Sequence, residues 1–96
     1  MISSTTIKGF AAAHLDAAEE LSRWNKAARN AEWRDVHGVR LHFPDADQYE
    51  SLLIFNIRHN RYRLIAKVDY RAKLLMVKGL LTHKEYTRGG WKLWAR

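Results

Sequence analysis

The chain of 96 residues contains no cysteine, which excludes a disulfide framework and any thiolate nucleophile or metal ligand. Proline occurs once, at Pro44, and there is no linker-like tract, low-complexity segment or repeat. A single domain over residues 1–96 is therefore expected. No apolar run approaches the ~20 residues that would cross a bilayer. The first residues, MISSTTIKGFAAAHLD, lack the cationic start and unbroken apolar stretch of a secretory signal. Together these absences make the cytoplasm the expected compartment. The most telling scarcity is of acids in one region. Residues 57–96 hold Asp69 and Glu85 against eleven Lys and Arg, a net of +9, whereas residues 1–56 hold six basic against eight acidic residues, a net of −2. The formal charge of +7 is thus regional, and such a concentration points to a polyanion, RNA or DNA first. An acidic protein partner is the other reading. With 47% apolar and 28% charged residues, the composition is globular.

What is present divides at Pro44 by period. Before it the pattern is helical. Ser4, Thr5 and Thr6 offer a cap, and Ile7, Phe10, Ala11 and His14 fall on one face. Asp16 is predicted to cap a second helix, with Glu19 as its box partner and Leu15 as a staple. Leu21, Trp24 and Ala28 continue the apolar stripe at i, i+3, i+7. Residues 33–43 read as a short helical turn running into extended chain, and Met1–Ile2–Ser3 could add an edge strand. Trp24 and Trp33 are core candidates.

After Pro44 and an acidic turn, Asp45–Asp47, the period becomes two. Leu52–Ile57 is nearly all apolar, as in a strand covered on both faces. His59–Asn60 is turn-like. Over Tyr62–Tyr70, Tyr62, Leu64, Ala66, Val68 and Tyr70 point one way and Arg61, Arg63, Ile65, Lys67 and Asp69 the other. Leu74–Thr82 is a third strand. The expected fold class is α+β, with two N-terminal helices packed on a small antiparallel sheet whose other face keeps Arg61, Arg63 and Lys67 exposed. On a strand, residues two apart lie ~6.5–7 Å apart on one face, so these three predict a cationic row about 20 Å long, suited to successive phosphates.

Directly after that strand, Thr82–His83–Lys84–Glu85–Tyr86 supplies an imidazole, an ammonium, a carboxylate and a phenol. Histidine titrates near neutrality and can exchange protons. Tyrosine, with an ordinary pKa near 10, needs cations beside it before it can act as a base. If this segment is helical, the i, i+3 spacing puts His83 and Tyr86 on one face. A metal reading is weaker. His14, His37, His42, His59 and His83 form no HExxH, and His37 and His42 beside Asp35 are the closest approach to a ligand set. No metal and no cofactor are expected. Trp91 and Trp94 in GGWKLWAR could stack on bases, or hold the tail against the helices or a partner.

FNIRHNRYRLIAKVDY followed by KGLLTHKEYTRGGWK resembles the HigB-type toxins of type II toxin–antitoxin pairs, within the RelE-like superfamily. The WRDV tryptophan and the FPDAD turn are compatible with it, so the resemblance spans nearly the whole chain as a single RelE-like domain. Such sequences often have Gly-Gly before the asparagine, where this chain has Arg58–His59. The resemblance implies a ribosome-dependent, metal-independent mRNA endonuclease that inhibits translation and is neutralised by a helix-turn-helix antitoxin of the HigA type. In that scheme Arg63, His83 and Tyr86 are catalytic, and Arg61, Lys67, Arg58 and Lys84 bind RNA phosphate. The alternative is a non-catalytic basic module that binds nucleic acid or the ribosome. A structural or inhibitor-like protein that meets an acidic partner is a third reading.

Overall fold

The computed structural model describes residues 5–58 and 61–95, with side chains from Ile7 onward at the N-terminal end. The expected edge strand at Met1–Ile2–Ser3, the Ser4–Thr6 cap and the His59–Asn60 turn lie outside what is described. Helix α1 (Thr5–Ala13) is followed by a 3-10 turn (Leu15–Ala17) and α2 (Ala18–Asn30). Leu21, Trp24 and Ala28 are buried as their spacing predicts. The expected cap is corrected. Ala17, not Asp16, precedes α2, and no side chain caps it, because the 3-10 turn carries Asp16 away to bond with the sheet. Leu15 is 79% exposed and staples nothing.

The 33–43 segment folds into α3 (Val36–His42), started by the Asp35 carboxylate accepting a hydrogen bond from the Gly38 amide at 2.9 Å. Four antiparallel strands follow in spatial order β1-β2-β3-β4: β1 (Asp47–Tyr49), β2 (Leu52–Ile57), β3 (Tyr62–Asp69) and β4 (Leu74–Thr82). The last three match the alternation in the sequence. Strand β1 replaces part of the expected acidic turn, since three residues are too few to show a period. Helix α4 (His83–Arg88) and a 3-10 segment (Gly90–Ala95) complete the described chain. No helix among the described residues is long and apolar enough to cross a membrane. The architecture is α+β.

Both sheet faces carry apolar clusters. On the first, Leu53, Phe55, Ile57, Tyr62, Leu64, Ala66, Val68, Leu75 and Leu80 share one core with Ile7, Leu21, Trp24, Ala28, Trp33 and Val39. A bulge lets β4 serve this face. Pairing runs from Tyr62↔Thr82 to Ile65↔Gly79 and resumes at Ala66↔Val77, which leaves Lys78 as the extra residue. Leu75, Val77 and Leu80 therefore turn the same way despite their uneven spacing.

The second face corrects the expectation of an open cationic surface. Leu52, Ile54, Ile65 and Trp91 form a smaller cluster, with Tyr49, Leu81, Tyr86, Trp94 and Ala95 packed against it. The C-terminal segment folds onto the sheet and not onto the helices. Gly79 makes room for it: a Cβ there would stand 2.9 Å from Cη2 of Trp94. At the segment's end, Ser51 Oγ donates to the Ala95 carbonyl at 3.2 Å.

Candidate functional site

Arg63 and Lys67 lie on β3 two residues either side of Ile65, which is buried in the cluster with Trp91. The cationic row is therefore split by an apolar strap. Arg61 does not belong to it. Its guanidinium pairs with Asp16 Oδ2 at 3.3 Å, and the same carboxylate accepts the Tyr62 hydroxyl at 3.0 and 3.1 Å. This bond pulls Arg61 toward the helices. Burial first, and then the Asp16 bond, raises the Tyr62 hydroxyl above the ordinary phenol range. The His14 ring packs on Tyr62 with centroids 4.9 Å apart.

Arg63 and Tyr86 are brought together. The Arg63 guanidinium lies over the Tyr86 ring, 5.0 Å from its centroid, a cation–π geometry. The opposite side of that ring stacks on Trp91 at 5.1 Å and 9°. Local sequence explains the placement. Thr82 ends β4 and caps α4 reciprocally: its hydroxyl accepts the Glu85 amide at 3.2 Å, and the Glu85 carboxylate accepts the Thr82 amide at 2.9 Å. The bond from the Thr82 backbone, and then that to its hydroxyl, holds the Glu85 carboxyl below the ordinary range. Glu85 is thus occupied in the cap and is not a proton-transfer group. Gly89, at φ 79°, ends α4 in the left-handed conformation, which glycine adopts freely. The chain turns back there, and Trp91 Nε1 donates to the Tyr86 carbonyl at 2.9 Å.

His83 is the first residue of α4 and is exposed, with its amide 3.2 Å from the Arg61 carbonyl that accepts it. Lys84 beside it is exposed. Lys67 is half-buried past the strap, lining a groove of about 440 Å³ with Ser51, Arg71, Leu74 and Met76. Arg58 is exposed at the end of β2 with φ 55°, in the left-handed region, and its amide donates to Glu20 Oε2 at 3.0 Å. Glycine is common at this position in sequences of the type resembled above, and the backbone explains that preference.

The residues of the weaker metal reading have other tasks. Asp35 caps α3, and His42 Nδ1 accepts the Trp33 indole N–H at 3.1 Å. Among the described residues, no three of His, Cys, Asp and Glu are gathered as metal ligands would be. Sequence reasoning passed over Asn56. It pairs directly with Arg63 across β2 and β3, and the signal was a lone polar residue interrupting the apolar run of β2.

The arrangement is a basic surface with a guanidinium, a phenol and an imidazole at one end of a sheet, built for anion binding and proton exchange. Residues 17–89, from the 3-10 turn before α2 to the glycine after α4, match a family model of a RelE-like toxic component of a toxin–antitoxin system. The chain belongs to this family, the HigB toxins. A toxin role and a cognate antitoxin partner follow from that membership. Among curated proteins none matches the chain. Trp91 and Trp94 lie beyond the matched residues.

Proposed function

We propose that this toxin is a ribosome-dependent mRNA endonuclease of the cytoplasm, inhibited by a helix-turn-helix antitoxin of the HigA type. The observation that carries the reading is the Arg63 guanidinium over the Tyr86 ring, with His83 one helical turn before Tyr86 on α4. In the reaction the ribose 2′-hydroxyl loses its proton and O2′ bonds to the adjacent phosphorus. The P–O5′ bond breaks and O5′ takes up a proton, which leaves a 2′,3′-cyclic phosphate and a 5′-hydroxyl. His83 and Tyr86 share the two proton transfers. Arg63 neutralises the charge that grows on the phosphorane, where a preorganised cation acts with most effect. Arg58, Lys84 and Lys67 bind flanking phosphates, Lys67 on the far side of the strap. Arg61, held by Asp16, supports the start of β3 and contributes charge from its exposed edge. These groups suffice without a metal.

The test is incubation of the protein with translating ribosomes and mapping of message ends. Wild type is expected to cut within the ribosomal A site. Arg63→Ala should lose ~10²–10³ in rate with its thermal melting unchanged, and Tyr86→Phe should weaken cleavage more than ribosome binding. A folded Arg63→Ala protein that cuts at the wild-type rate removes Arg63 from the mechanism. Intact message with tight RNA binding by the wild type would instead establish a non-catalytic binding module.

A further inference from the structure

Strand β1 pairs only with Leu52–Ile54 of β2. Beyond Ile54 the outer edge of β2 is bordered not by a strand but by residues 42–46. Two adjoining cavities open along this edge. One of about 140 Å³ is lined by His42, Phe43, Pro44, Phe55 and Asn56 among others. The other, about 300 Å³, shares His42, Phe43 and Asn56 and reaches Glu20 and Arg23 on α2. Asn56 is the residue these cavities share with the candidate site. Its neighbours along β2 show which way it points. Phe55 and Ile57 belong to the helix-side core and Ile54 to the second-face cluster. Alternation therefore places Asn56 on the second face, directly opposite Arg63. Side chains so opposed have Cβ atoms ~4.5–5.5 Å apart.

A half-buried asparagine in the middle of an apolar strand calls for a hydrogen-bonding partner. Among the described residues, none bonds the Asn56 carboxamide. The group offers an N–H donor and a carbonyl acceptor side by side, a pattern that matches the edge of a nucleobase. The cavity wall suits a base as well: the Phe43 ring is half-buried, and the exposed His42 ring keeps Nε2 available because Nδ1 accepts from Trp33.

We infer that Asn56 and the His42–Phe43 edge cavity form a nucleobase-reading subsite beside Arg63, in which the Asn56 carboxamide hydrogen-bonds one base of the RNA whose phosphate lies at Arg63. This rests on the endonuclease reading for the position of the phosphate, and it goes further by giving the toxin a base preference of its own, apart from any that the ribosome imposes. Bidentate asparagine contacts discriminate among bases by roughly tenfold or more.

The experiment uses non-cleavable 2′-O-methyl trinucleotides that differ in one base, titrated into the whole protein and followed by NMR chemical shifts. At one position, wild type should bind one base about tenfold more tightly than the poorest. A folded Asn56→Ala protein should bind all four within roughly twofold, the residual left to stacking. If Asn56→Ala does not fold, the isosteric Asn56→Asp, which exchanges the N–H donor for an acceptor, should change which base is preferred. Equal binding of all four bases by wild type overturns the inference, as does discrimination that survives in the folded variant. Because no bond is cut here, these outcomes are separate from the cleavage assay, whose failure would count against the endonuclease and not against base reading.

Discussion

At the scale of single residues, the site combines side chains the sequence exposed with backbone states it concealed. Arg63 and Tyr86 were legible because alternation and an i, i+3 spacing singled them out. Arg61 was misplaced because alternation assumes a strand, whereas β3 begins one residue later and Asp16 draws the guanidinium aside. Arg58 shows what such patterns do not contain. Its φ of 55° costs a non-glycine residue roughly 1–2 kcal/mol, while glycine there would add about 0.4–1 kcal/mol of chain freedom to the unfolded state. Arg58→Gly is therefore expected to stabilise the fold by about 0.5–1 kcal/mol in urea titrations, and to weaken RNA binding by removing a cation. A variant less stable than wild type would mean that the Arg58 side chain makes contacts that outweigh the backbone strain.

Among elements, the helices and strands followed their periods, and the errors fell where an element is short or its partner is remote. Strand β1 has three residues, too few for a pattern. The strap's seat on Gly79, Ile54 and Ile65 joins segments far apart in the chain, which local spacing does not reveal. The nearly unbroken apolar run of β2 was the available hint, since it implied cover on both faces. The fit at Gly79 gives a prediction. In Gly79→Ala the new Cβ meets the Trp94 ring at 2.9 Å, so the strap must move, and overpacking of this kind typically costs ~1–3 kcal/mol. Replacing Trp94 by Leu in the same protein should recover part of that loss; no recovery would place the cost in the strand itself. The capping box of α4 predicts a pH effect. Glu85 titrates below its ordinary value, so its contribution is present above the unfolded carboxyl value of ~4.3 and is lost as pH falls through the folded one. Thermal melting of wild type should drop on acidification through this window more than that of Glu85→Gln, which keeps the box geometry without the titration.

For the molecule as a whole, the charge asymmetry was the most legible property and the one most altered by folding. The sequence places the excess after residue 57, but the strap divides it into an Arg63 end, shared with Arg58, His83 and Lys84, and a Lys67 end shared with Arg71. An RNA strand following the Arg63 end would neutralise Lys84 and leave untouched Lys26, which is exposed with Arg29 along the outer side of α2. Each phosphate neutralised on a single strand contributes about −0.7 to the slope of log K against log salt. Affinity for a non-cleavable single-stranded RNA, measured over a range of KCl, should therefore lose about 0.7 from its slope in Lys84→Ala. Lys26→Ala removes the same formal charge and should leave the slope unchanged. Equal changes in the two variants would show that the RNA responds to net charge alone, and the assignment of an RNA path along the Arg63 end of the sheet would fall.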